Sequence, residues 1–192
     1  MAYVTYTTEA LVCGTFNRNT ADGSYLLFTR EAGMLYADAR SAREERSRQR
    51  YALQDFSLVR VSLVKGKRGW KVGSIEALKN YYSEAIDKSA RGSVVSLFRL
   101  LRRFLKGEET ACELFDLVKE SLEVLQKDLE ERTFVEEVIQ LRILSELGYV
   151  DTKKIPEGVR EEEPANIAKH MTPETQQKIN QLYAHAIDIS HL

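Results

Sequence analysis

The first 80 residues alternate between apolar and polar positions in short runs separated by turn-forming clusters, which is the pattern of β-strands. Residues 56–64 show it most clearly, because Val59, Val61 and Leu63 fall on one face of the predicted strand. The other runs are 5–16, 24–30, 34–40 and 70–78, with a long interruption at about 41–54. Five short strands of this kind fit a small closed barrel of the OB type, which leaves no apolar sheet edge open to aggregation.

From about Asn80 onward the apolar positions recur with helical spacing, first between Val94 and Leu105. The segments Thr110–Glu113 and Thr133–Glu136 have the spacing of capping boxes and predict the starts of two further helices, the second ending at Gly148. A polar segment near 151–171 predicts a linker, and the sequence at 172–174 predicts a last helix with proline at its first position. The chain is therefore predicted to be α+β, with a five-stranded OB-fold β-barrel over residues 1–80 and an α-helical domain over residues 81–192.

Basic and acidic residues are separated along the chain, although the formal net charge is only −1. Residues 1–106 contain 19 Lys and Arg against 10 Asp and Glu, whereas residues 107–192 contain 9 against 19. The densest basic stretch runs from Ser41 to Lys71, within the predicted barrel. A basic β-module followed by an acidic helical body predicts a polyanion-binding surface on a protein-interaction scaffold.

Arginine pairs with phosphate through two parallel hydrogen bonds and stacks on bases, so the basic clusters are the candidate DNA-binding residues. They are Arg40, Arg43, Arg46, Arg48 and Arg50 in and before the long connection, Lys65, Lys67, Arg68 and Lys71 around the last β-turn, and Arg99, Arg102 and Arg103 on the first long helix. The aromatic candidates for stacking on bases are Tyr25, Tyr36, Tyr51 and Trp70. The alternative for the connection is a solvated helix face whose charges form i,i+3 and i,i+4 ion pairs, and the alternative for the helix is a solvated helix face.

Few residues could carry catalytic chemistry. The ten glycines are scattered without a phosphate-binding loop, and no cysteine pair has the spacing of zinc ligands. His170, His185 and His191 lie in the last 23 residues and are expected to be exposed. We therefore expect neither an enzyme nor a cofactor or metal site. With two distant cysteines, no signal peptide and no membrane span, we expect a cytoplasmic protein whose thiols are reduced.

Short segments in order over residues 4–150 carry a resemblance to a known family. In the β region they are Glu9–Val12, Leu27–Leu35, Ala37–Arg43, Leu53–Val59 and Ser74–Leu78, and in the helical region Glu113–Leu117 and Gln140–Tyr149, which ends in Leu-Gly-Tyr. Their order and spacing resemble those of RecO, the family of bacterial recombination mediators. Many members carry a four-cysteine zinc module after the Leu-Gly-Tyr segment. Residues 150–192 contain no cysteine, so that site is not carried over.

The resemblance implies an OB-fold followed by a helical domain, and a role in DNA repair and homologous recombination. It implies binding to single- and double-stranded DNA, annealing of complementary strands, and assistance in loading the RecA recombinase. The partners that it implies are RecR and the acidic C-terminal tail of the single-strand-binding protein. The alternative from the residues alone is a non-catalytic protein–protein adaptor with an OB- or SH3-like barrel, and a nuclease is a weaker third possibility.

Overall fold

The computed structural model describes residues 5–17 and 20–189. Its strands are β1 (Thr5–Asn17), β2 (Gly23–Thr29), β3 (Gly33–Ala39), β4 (Ser57–Gly66) and β5 (Gly69–Asn80). They form a closed barrel in the order β1-β2-β3-β5-β4. The five-stranded barrel expected from the alternating pattern is confirmed, and so is the α+β class, because helices follow the barrel.

The barrel closes through a short parallel contact between β3 and β5. Only two residue pairs make it, Ala37 with Trp70 and Asp38 with Lys71, whereas the other neighbouring strands pair antiparallel over most of their length. The contact sets the start of β5 beside the end of β3. Two positions far apart in sequence, 38 and 71, therefore lie side by side on the barrel wall.

Alternate residues of β1, β2, β3 and β4 fill the interior of the barrel, as the period of a strand requires, while β5 adds the partly buried Trp70, Val72 and Ile75. Val59, Val61 and Leu63 are fully buried, which confirms the inward face predicted for this strand. They pack with an inner set from the other strands and the long connection, namely Ala10, Val12, Tyr25, Leu27, Leu35, Ala37, Ala39, Ala42, Ala52 and Leu53. A β-bulge between Val12 and Gly14 shifts the register of β1 against β2.

The helices are α1 (Arg48–Ala52), α2 (Tyr81–Glu84), α3 (Lys88–Phe104), α4 (Cys112–Leu125), α5 (Arg132–Glu146), α6 (Glu157–Arg160) and α7 (Pro173–Ile189), with 3-10 segments at Thr152–Lys154 and Pro164–His170. The described residues divide into two units. The first contains the barrel up to Glu84 together with Lys106–Phe115, and the second contains Ala85–Leu105 with the residues from Asp116 onward.

In the first unit, the segment Lys106–Phe115 packs on the hairpin between β2 and β3. The backbone N–H of Met34 donates to the carbonyl oxygen of Gly107 at 2.9 Å, and the rings of Phe28 and Phe115 meet edge to face at 5.2 Å. Gly33 has a φ of +60°, and a Cβ atom there would lie 2.6 Å from the Gly107 carbonyl oxygen. The close approach of the two backbones therefore requires glycine at position 33.

In the second unit, the ends of the helices test the capping predictions. Gly148 has a φ of +80° just after α5, and Pro173 is the first residue of α7, so both of these predictions are confirmed. The capping box predicted at Thr133 is wrong, because α5 already begins at Arg132. The segment predicted as a linker near 151–171 contains α6 and both 3-10 segments, and it buries Ile155, Val159, Pro164 and Ile167.

Candidate nucleic-acid interface

A groove of about 570 Å³ runs along the barrel wall where β3 meets β5. We call it the basic groove, and it is lined by Asp22, Gly23, Asp38, Ala39, Arg40, Gln49, Arg68, Lys71 and Val72. An adjoining space of about 600 Å³ shares Arg68, Lys71 and Val72 and adds Lys67. Four of the predicted DNA-binding residues, Arg40, Lys67, Arg68 and Lys71, are thus brought together by the fold.

The fold places each of these cations through a different local feature. Lys71 is set by the β3–β5 contact, opposite Asp38. Arg68 lies in the β4–β5 turn, which reverses at Gly69, whose φ of +107° is one that glycine adopts without strain. Arg40 directly follows β3. In OB-folds the β1–β2 and β4–β5 loops flank the face that binds oligonucleotides, and this groove is lined from both of those connections.

The electrostatics of the basic groove favour an extended anion. Arg40, Lys67, Arg68 and Lys71 are all solvent-exposed and can be approached by phosphate. The carboxylates of Asp22 and Asp38 lie among them and leave a positive surplus. Exposed cations along a groove neutralise phosphates and release counterions, which is the main source of sequence-independent affinity for DNA.

Other predicted residues lie outside the basic groove. Arg43 and Arg50 line a separate groove of about 380 Å³ together with Thr15 and Asp55. Arg46 and Arg48 are exposed, and among the described residues they line neither of these two grooves. The long connection predicted to be a basic loop is partly helical, because α1 occupies residues 48–52. The arginines of this stretch therefore point to more than one part of the surface.

Lys65 interacts with groups of its own unit. Its Nζ lies 3.0 Å from Glu108 Oε2 and 4.8 Å from the centre of the Trp70 ring. The indole N–H of Trp70, and then the Lys65 ammonium, hold the pKa of Glu108 below its usual range. Because Glu108 already compensates its charge, Lys65 attracts phosphate less strongly than the cations of the basic groove do.

The remaining predicted cations lie on α3 in the second unit. Arg99 and Arg102 are exposed, and the guanidinium of Arg103 lies 5.2 Å from the centre of the Phe104 ring. Helix α3 contains no acidic residue. A solvated helix face, the alternative given for this helix, fits the exposure of Arg99 and Arg102.

The four predicted stacking aromatics differ in their accessibility. Tyr25 is only 2% exposed and belongs to the barrel core, and Trp70 is half-buried against Tyr6, with ring centres 5.5 Å apart. Tyr36 and Tyr51 are 58% and 67% exposed. Sequence reasoning missed Phe16, which is 46% exposed with its ring centre 5.7 Å from that of Tyr36. Its position two residues after Gly14 on an alternating strand was the signal available.

Within residues 5–17 and 20–189, no group of three or more His, Cys, Asp or Glu side chains is placed to hold a metal ion. His170 contacts Glu162, with 2.7 Å between Nε2 and Oε2. His191, which was predicted to be exposed, lies outside the described residues. Cys13 and Cys112 are both free thiols. No helix in the described ranges has the length and apolar character needed to cross a membrane.

The sequence of the chain is similar to that of known proteins of one family. Residues 1–81 match the family model described as recombination protein O N terminal. The chain is 28% identical over 145 residues to a DNA repair protein RecO of Caldanaerobacter subterraneus subsp. tengcongensis, covering 74% of this chain and 58% of that protein. It is 24% identical over 142 residues to a DNA repair protein RecO of Acetivibrio thermocellus, covering 74% and 57%. The chain thus spans less than two thirds of the length of these curated relatives.

Proposed function

Because the chain belongs to the RecO family through its N-terminal domain, as its sequence segments predicted, we propose that it binds single- and double-stranded DNA and anneals complementary strands. The family points to DNA repair and recombination, and the finer activity is the proposal. The observation that carries it is the convergence of Arg40, Arg68 and Lys71 in one groove on the face that OB-folds use for oligonucleotides.

Annealing would follow from charge neutralisation. Two complementary strands repel each other through their phosphates, and a protein that binds both lowers this repulsion while leaving base edges free to pair. No bond is made or broken, so the role is non-catalytic and needs no nucleotide hydrolysis. Phosphate contacts carry no sequence information, and the binding should show little sequence preference.

We propose that the wider role follows the same family. The chain would assist loading of the RecA recombinase in the cytoplasm, acting with RecR and with the acidic C-terminal tail of the single-strand-binding protein. The exposed Arg99 and Arg102 of α3 support contact with an acidic tail, because that helix carries no carboxylate to compete with one. The acidic tail would then bind to α3, whereas DNA would bind to the basic groove.

The test is fluorescence anisotropy of a labelled thymidine oligonucleotide at about 50 mM and about 200 mM salt. Binding that weakens steeply as salt rises supports the proposal, and a strand-annealing assay with complementary labelled oligonucleotides tests the second half. Absence of binding at low salt would favour the protein–protein adaptor. The presence of Asp22 and Asp38 within the basic groove is the observation that favours this second candidate.

A further inference from the structure

The outer wall of the barrel presents an aromatic pair beside the basic groove. The ring centres of Phe16 and Tyr36 are 5.7 Å apart with an interplanar angle of 56°. Both rings are about half exposed. By contrast, Phe56 and Tyr82 are stacked within 25° of parallel, so their faces cover each other. The tilted arrangement of Phe16 and Tyr36 leaves ring faces open to a ligand.

The register of the strands places Phe16 and Tyr36 near the cations of the basic groove. Phe16 pairs with Ser24, Ser24 with Asp38, and Asp38 with Lys71, so one row of residues crosses β1, β2, β3 and β5. Tyr36 lies two residues before Asp38 on the same face of β3. Ordinary sheet spacing then puts the Cα atoms of Tyr36 and Lys71 roughly 8 Å apart. A single nucleotide can reach from a phosphate at Lys71 to a base at Tyr36.

The backbone leaves room for the Phe16 ring to lie flat on the wall. A Cβ atom at Gly14 would be 3.3 Å from the Phe16 ring and 3.7 Å from Leu26 Cβ. Because Gly14 has no side chain, the ring rests over β1 beside Leu26, which is itself nearly buried. The result is an apolar floor of Phe16, Leu26 and Tyr36 bordered by Asp38 and the groove cations.

We propose that Phe16 and Tyr36 form a stacking platform for unpaired nucleobases, continuous with the basic groove. The occupant is a base of a single strand whose phosphates lie on Arg40, Arg68 and Lys71, because charge complementarity fixes the backbone at that distance from the rings. Bases in a duplex are stacked on their neighbours and have no free face. The platform therefore adds affinity for single strands only, and it loses its ligand when two strands pair.

The inference rests on the proposed DNA binding and is tested with two probes, a thymidine oligonucleotide and an abasic oligonucleotide of the same length. Both carry the same phosphates, but only the first carries bases. The variant Phe16→Leu with Tyr36→Leu keeps the apolar cover and removes the aromatic faces. The matched control is Tyr82→Leu, which removes a 42% exposed aromatic whose ring face is already covered by Phe56. Thermal melting of each variant reports the fold, and Tyr36→Leu alone serves if the double variant fails to fold.

The wild-type protein is expected to bind the thymidine probe about 5- to 150-fold more tightly than the abasic probe, the range for one stacked base. The double variant should lose this preference, with unchanged affinity for the abasic probe and an unchanged salt slope, whereas Tyr82→Leu should keep it. Equal wild-type affinity for the two probes overturns the platform and leaves DNA binding intact. Loss of affinity for both probes together with a lower melting temperature also overturns it, since the rings then act through the fold. If neither probe binds, the proposed function fails as well.

Discussion

Reversing two charges in the basic groove tests whether phosphates bind at this groove or respond only to the net charge of the protein. The variant Arg68→Glu with Lys71→Glu replaces two exposed residues that line the groove and its continuation. Neither side chain contributes to the barrel core, so the free energy of unfolding should change by no more than about 0.5 kcal/mol. The melting temperature is therefore the first control.

The magnitude follows from the number of cations available. Four exposed cations, Arg40, Lys67, Arg68 and Lys71, can neutralise up to four phosphates of a single strand. At about −0.7 per phosphate the slope of log affinity against log salt is about −2.8, which corresponds to a loss of about 50-fold between 50 and 200 mM salt. With two contacts removed the slope becomes about −1.4 and the loss about 7-fold.

The assay is anisotropy of a labelled thymidine oligonucleotide over that salt range, with two comparison variants. Lys153→Glu with Lys154→Glu makes the same change of net charge on exposed residues of the second unit and should leave the slope unchanged. Arg46→Glu with Arg48→Glu tests the long connection. If the groove variant keeps the wild-type slope and melting temperature, the groove does not bind phosphate. If the Arg46 variant alone loses the slope, the strand runs along α1 instead.

Three further predictions concern single side chains. Gly33→Ala should cost more than about 2 kcal/mol in denaturant unfolding, because of its positive φ and the facing carbonyl oxygens, whereas Gly92→Ala, in open space on α3, should be neutral or stabilising. Tyr183→Phe should cost about 1–3 kcal/mol, because the Tyr183 hydroxyl donates to the buried Gln140 Oε1 at 2.6 Å, and DNA affinity should not change. Because Glu108 has a folded pKa below 4.5, the stability it contributes is complete above about pH 4.5 and is lost as pH falls through the folded value, so Glu108→Gln should flatten the acid limb of a stability-against-pH curve.

The strands of the barrel could be predicted to within about two residues because their signal is local. Alternation identifies each strand and turn-forming residues separate them, so no knowledge of partners is needed. The short helix α1 could be predicted only as an alternative for the long connection, because its local signal is weak. Its five residues make fewer than two turns, and among them only Ala52 is buried, so no helical period is visible. The capping box at Thr133 failed because a Thr-x-x-Glu pattern also fits inside a helix, and α5 starts at Arg132, two residues earlier than the box predicts.

The candidate site could be predicted only as a set of residue types. The sequence identifies a surplus of arginine and lysine, but which of them converge depends on the β3–β5 contact between positions 38 and 71. The same contact decides that Tyr36 neighbours the groove, while the pairing of β1 with β2 and β2 with β3 brings Phe16 to it. Contacts between strands distant in sequence are not encoded in any local pattern, so the division of the cations between separate surfaces could not be foreseen.

The carboxylates in the basic groove bear on how tightly it can hold DNA. Asp22 accepts a hydrogen bond from the backbone N–H of Ser41 at 2.9 Å, and Ser41 has a φ of 49°, so this carboxylate stabilises the turn that carries Arg40. Together with Asp38 it also lowers the positive charge that a phosphate chain meets, which limits affinity for any nucleic acid. An aromatic platform adds affinity for unpaired bases alone. Under the proposed function, moderate phosphate binding combined with the proposed base stacking would make retention depend on whether the bases are paired. Strand annealing requires this dependence, because single strands must be held and the duplex released.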